Sequence, residues 1–146
     1  MDTAVQEFVS CKRLAIVGVS RDPNKFGNMI YKELKERGYQ PFAVNPAVQE
    51  IGGEPCYPNL AALQGQVDGV VICIPPAKVP AVLQEAASIG LKHVWIQQGA
   101  SSPEANQMGR DLGLTMVTDK CIMMYAEPVT SFHQFHRFFA KLFGQY

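Results

Sequence analysis

The sequence predicts an α/β fold, a doubly wound and mostly parallel sheet with an added C-terminal helix. Three observations carry that expectation. Short apolar runs without polar alternation take turns with segments of helical periodicity along most of the chain, the pattern of strands buried on both faces and joined by crossover helices. Glycine or proline stands at almost every change of pattern, where one element must stop and the next begin. The length of 146 residues suits one domain and leaves little room for a second, and 47% hydrophobic residues are enough to bury a core.

The elements follow in order. Leu14 to Val17 is an apolar run that stops at Gly18. Met29, Ile30 and Leu34 then recur at helical spacing among Lys32, Glu33, Lys35 and Glu36, and Gly38 supplies a left-handed stop. Pro41 to Val44 reads as the second strand, ending at Asn45-Pro46. A turn-rich stretch holds Gly52, Gly53, Pro55 and Pro58, with a very short strand at Cys56-Tyr57 and a helical turn or two at Leu60 and Leu63. Val67 to Ile74 is the most apolar run and is cut off by Pro75-Pro76. Val79, Val82, Leu83, Ala86 and Ala87 mark a helix ending near Gly90, and His93 to Gln97 is a strand stopped by Gly99. Pro103 opens a helix that closes at Gly113, with Ser102 as its N-cap. Leu114 to Val117 is the last strand of the core. In the segment from about 131 to 144, Phe132, Phe135, Phe139, Leu142 and Phe143 fall on one helical face. That helix packs on its own domain, or it forms a contact between two copies of the chain.

Composition excludes several classes. Lys and Arg number 13 and Asp and Glu 13, so the net charge is zero. A nucleic-acid binder would normally show a basic excess. No apolar run approaches the ~20 residues a membrane span requires. The start, with Asp2 and Glu7, lacks the basic and apolar stretches of a secretory signal. Cys11, Cys56, Cys73 and Cys121 are scattered and form no CxxC, which suits free thiols in a reducing compartment, the cytoplasm.

In an open parallel sheet, ligands sit at the carboxyl ends of the strands. The first such end runs from Gly18 to Gly27 and enters a helix. A helix start attracts phosphate through its unpaired N–H groups and its dipole. Gly18 would let the backbone approach a diphosphate, Ser20 can donate a hydroxyl hydrogen bond, and Arg21 and Lys25 add cationic groups. The bland alternative is a tight turn with solvated charges. The loop is no dinucleotide fingerprint, because G-x-G-x-x-G from Gly18 would need glycines at Ser20 and Pro23, and no P-loop GK[ST] occurs. After the second strand stands Asn45-Pro46, where a nicotinamide dinucleotide site usually has Asp or Glu. The pattern therefore points to a nucleotide diphosphate other than NAD. Pro75-Pro76 makes a rigid corner for an apolar arm or an adenine face, or simply ends its strand. Gln98-Gly99 offers an amide and bare backbone near the same edge, or is only a turn.

Gly18-Val19-Ser20-Arg21, Lys25-Phe26-Gly27, Val44-Asn45-Pro46, Glu50-Ile51-Gly52-Gly53, Pro75-Pro76, Trp95-Ile96-Gln97-Gln98-Gly99 and Asp119-Lys120-Cys121, in that order, resemble the small stand-alone CoA-binding domain proteins. These are similar to the CoA-binding domain of the succinyl-CoA synthetase α subunit. The resemblance covers about residues 8 to 125 of what reads as one domain spanning 1–146. It implies a Rossmann-like fold with coenzyme A or an acyl-CoA as ligand. Gly18, Val19, Ser20 and Arg21 would hold the phosphates, with Lys25 adding charge on the turn that ends at Gly27. Asn45 and Pro46 would meet the adenosine part, Ile74 and Pro75 the groove for nucleotide and pantetheine, and Gln98 and Gly99 its far edge. The synthetase's phosphorylated histidine lies in a domain this chain lacks.

Motifs for bond-making chemistry are missing from the sequence: no GxSxG, no HExxH and no paired acids. Cys121 is the best lone nucleophile but reads as a small buried side chain, Trp95 reads as core, and His133 and His136 lack a third ligand for a metal. The expected function is binding of CoA or a short acyl-CoA, without assigned catalysis and without a metal, nucleic acid or membrane partner. Two other classes stay open. One is an NAD(P)-binding redox enzyme or sensor with Ser20 and Arg21 on a ribose phosphate. The other is an interaction module that works through its C-terminal helix, as in a homodimer, with a vestigial nucleotide site.

Overall fold

The computed structural model describes residues 3–128. Helix α1 (Thr3–Val9) precedes β1 (Arg13–Val17). There follow α2 (Phe26–Glu36), β2 (Gln40–Val44), β3 (Glu50–Ile51), β4 (Glu54–Tyr57), β5 (Gly69–Ile72), α3 (Val79–Ser88), β6 (His93–Gln97), α4 (Pro103–Asp111) and β7 (Thr115–Lys120). Single 3-10 turns lie at Ala61–Leu63, Pro76–Lys78 and Ile122–Met124. The strands form one sheet in the order β3-β4-β2-β1-β5-β6-β7. Every pairing is parallel except the β3–β4 hairpin. The doubly wound, mostly parallel sheet expected from the sequence is the observed one.

Alternation along each strand sends neighbouring side chains to opposite faces. In β1, Leu14 and Ile16 join Val71, Trp95 and Val117 under α1, α2 and the turn at Ile122–Met124. Ala15 and Val17 join Val70, Ile72, Val94 and Ile96 under α3, α4, Leu60 and Leu63. Both faces are covered, which is why the strands read as unbroken apolar runs. Trp95 is fully buried, as expected. Its ring meets Phe8 edge-on at 5.3 Å, and its indole N–H donates to the Lys120 carbonyl at 2.8 Å. Buried Arg37 donates to the carbonyls of Met123 and Ala126, at 2.9 and 2.6 Å, and anchors the chain after β7 to α2.

Several boundaries depart from the sequence reading. Helix α1 has only seven residues and no periodic run long enough to stand out, yet it buries Val5 and Phe8. Strand β3 is two residues long and exists through its turn at Gly52-Gly53, both at positive φ. The Val67–Ile74 run is strand only over Gly69–Ile72, and its end, Cys73-Ile74, lines a groove instead. The last strand reaches Lys120, because a register shift opposite Trp95 and Gln97 and a left-handed Asp119 (φ 62°) keep it paired beyond Val117. Met29, which shares the helical spacing of Ile30 and Leu34, is 49% exposed, one step off the buried face of α2. Ser102 caps α4 as expected, accepting from the Ala105 amide at 3.1 Å. The expected C-terminal helix, its contact between copies and the His133/His136 pair lie outside the described residues.

Candidate functional site

The carboxyl ends of β1 and β5 lie side by side, Val17 level with Ile72. The chain leaves them on opposite faces, since α2 packs with the first core cluster and α3 with the second. That divergence is the switch point at which open α/β sheets hold ligands. A cavity of 680 Å³ opens there, lined by Gly18, Val19, Ser20 and Lys25, by Asn45 and Pro46, and by Cys73, Ile74, Pro75 and Lys78. A second cavity of 430 Å³ shares Gly18, Lys25, Cys73, Ile74 and Pro75 with it and continues past Phe26 and Gly27 to Gln98, Gly99 and Ala100. Together they form one groove across the ends of β2, β1, β5 and β6.

Two glycines make the floor of the groove possible. Gly18 has φ +124°, and a Cβ on it would overlap the Cys73 carbonyl oxygen. A Cβ on Gly27 would overlap the carbonyl oxygen of Gly18. Helix α2 therefore sits directly against the turn it follows, and that turn sits directly against the end of β5.

Side-chain amides then hold the loop. Asn28, in the first turn of α2, accepts from the Ser20 N–H and donates to the Ser20 carbonyl, both at 2.8 Å. The Ser20 hydroxyl accepts from the Asp22 amide at 3.0 Å, and the Asp22 carboxylate accepts from the Asn24 amide at 2.9 Å. Asn45 donates to the Val19 carbonyl and accepts from the Ala47 amide, both at 2.8 Å, which ties the loops after β1 and β2 together. Ordering of this kind fixes donor directions before a ligand arrives.

The start of α2 is left open. Lys25 stands at its N-cap without a side-chain cap bond. The amides of Asn28 and Met29 donate to the Lys25 carbonyl. Those of Phe26 and Gly27 have no partner among the described residues and, like any first-turn amides, none within the helix. Free amides, the helix dipole and the exposed Lys25 ammonium form a donor set that suits an anion.

All the residues expected at the site from the sequence line this groove, with one exception. Arg21 lies at the rim, where its guanidinium donates to the Ala47 carbonyl at 3.2 Å. Asn45 lines the groove with its amide engaged on both sides by backbone. Asn28 and Cys73 were not expected at the site from the sequence, and Lys78, within the marked strand end Ile74-Pro75-Pro76-Ala77-Lys78, was given no role. The i+8 relation of Asn28 to Ser20 carries no sequence signal, whereas Lys78 was visible as a basic residue just beyond a strand end. Burial and the neighbouring Cys121 push the Cys73 thiol up, so it stays protonated near neutral pH. Cys121 is itself buried. All four cysteines are free. Among the described residues no group of three or more His, Cys, Asp and Glu could hold a metal ion, and no helix is long and apolar enough to cross a membrane.

Comparison with known proteins gives consistent results. A family model described as CoA binding domain matches residues 12–127. The protein YneT of Bacillus subtilis is 32% identical over 111 residues, covering 76% of this chain and 82% of that one. The ADP-forming acetate–CoA ligase I of Archaeoglobus fulgidus is 30% identical over 123 residues, 77% of this chain but only 18% of the ligase. A solved structure of a conserved hypothetical protein from Pyrococcus furiosus superposes with a TM-score of 0.73 at 36% identity, covering 76% of this chain and 96% of that one.

Proposed function

The chain belongs to the CoA binding domain family, and on that premise we propose that it binds coenzyme A or a short acyl-CoA in the groove over β2, β1, β5 and β6. The diphosphate rests on the Gly18–Gly27 turn, against the free amides of Phe26 and Gly27 and the Lys25 ammonium. The adenosine part lies toward Asn45 and Pro46, which offer shape and no carboxylate. The pantetheine arm follows Ile74 and Pro75 toward Gln98 and Gly99. The observation that carries this reading is the uncapped start of α2, packed through Gly27 onto Gly18 inside the groove. The free cysteines support a reducing, cytoplasmic setting.

The reading is one of binding, with no bond-making step assigned to the described residues. The acetate–CoA ligase relative contains a matching stretch as a small part of a longer chain, which supports a module that presents CoA. Isothermal titration of the full chain tests it. CoA is expected to bind, and NAD to bind more weakly because β2 ends without an acidic partner for its ribose hydroxyls; NADPH, which that uncharged corner does not repel, is the competing ligand. Tight NADPH binding with no CoA binding would overturn the reading in favour of a redox protein.

A further inference from the structure

We propose that Lys78, at the start of α3, is the second cation on the diphosphate, set across the groove from Lys25. This deepens the CoA reading and rests on it. Helices α2 and α3 leave adjacent strands on opposite faces of the sheet, so their starts flank the crevice from two sides. The two starts differ in what they offer. Helix α2 presents free amides. At α3, Pro75, Pro76 and Pro80 have no N–H, and the amides of Lys78 and Val79 are bonded to the carbonyls of Pro75 and Pro76. That side of the groove has little backbone to give an anion, and its donor is the Lys78 side chain.

Lys78 lines the same cavity as Gly18, Ser20 and Lys25. Neither lysine has an ion-pair partner among the described residues. Arg21, the other nearby cation, is tied to the Ala47 carbonyl at the rim. A diphosphate carries charge on two phosphoryl groups, and one ammonium on each side of the crevice matches it better than two on one loop.

The test compares Lys78→Met, Lys78→Arg and Lys32→Met with the unaltered full chain, titrating each with CoA and with dephospho-CoA, which keeps the diphosphate and lacks the ribose phosphate. Lys32 is exposed on α2 and outside the groove, so it controls for net charge. Lys78→Met is expected to weaken both ligands equally, by about tenfold or more, with Lys78→Arg close to the parent and Lys32→Met within about twofold. Thermal midpoints check that each variant is folded. If the parent binds CoA and Lys78→Met loses no more than Lys32→Met, the role of Lys78 is refuted and the CoA reading stands. A loss with CoA that disappears with dephospho-CoA also refutes it, by moving Lys78 to the ribose phosphate. If the parent binds neither ligand, the CoA reading itself fails and takes this role with it.

Discussion

Replacing Asn28 by alanine separates the order of the loop after β1 from its charge. Two hydrogen bonds of 2.8 Å to the Ser20 backbone are lost, each worth about 1 kcal/mol net. Alanine is the better helix former by roughly 0.6 kcal/mol, so the chain should lose about 1.5 kcal/mol, or about 3–6 °C in Tm. Binding should suffer further. With the clip gone, Ser20 and Arg21 regain backbone freedom that a bound ligand must remove at about 1–2 kcal/mol per residue, so Kd for CoA should rise at least about tenfold. Asn28→Asp keeps the acceptor for the Ser20 N–H and loses the donor. Its carboxylate suits the first turn of a helix by about 0.3–1 kcal/mol but opposes a phosphate, so stability should stay near the parent while affinity falls. Urea unfolding and isothermal titration with CoA read the two quantities separately. Asn28→Ala with unchanged midpoint and unchanged affinity would refute the claim that this amide holds the loop.

Gly18→Ala should be more severe, because the new Cβ meets the Cys73 backbone just past β5 at a φ that alanine avoids. A loss of about 2 kcal/mol or more is expected, together with loss of CoA binding, and a folded variant that still binds would contradict the packing described. Tyr39 predicts the alkaline limb of stability. Burial pushes its phenol up from 10.0 to about 12, so between those values the unfolded chain releases a proton that the fold retains. Stability is complete below pH 10 and falls as pH rises toward 12, by about 2 kcal/mol for this group. Tyr39→Phe should flatten that part of the profile relative to the parent in urea titrations at stepped pH, at the cost of its hydroxyl bond to the Glu127 carbonyl.

Local patterning already carried the strands, the long helices and the sheet edge at which the groove opens. Apolar runs such as Leu14–Val17 and Val67–Ile74, alternating with helical segments, read as strands buried on both faces, and parallel strands require crossovers of one hand. That combination puts Gly18, Lys25 and Pro75 at the same end of one sheet before any coordinate is known. Short elements escaped, because α1 and β3 are too brief for a period to register and exist through what they pack against.

Within the groove the division is sharper. Residue types pointed to a loop suited to an anion, since glycine, serine and lysine at a helix start have a local reason to be there. Which cations line the groove was decided by the tertiary structure alone. Arg21 is turned away by a carbonyl 26 residues distant, and Lys78 is brought into the same groove as Lys25 because β1 and β5 pair side by side. Contacts between residues far apart in sequence leave no period and no motif, so only the assembled sheet could assign them.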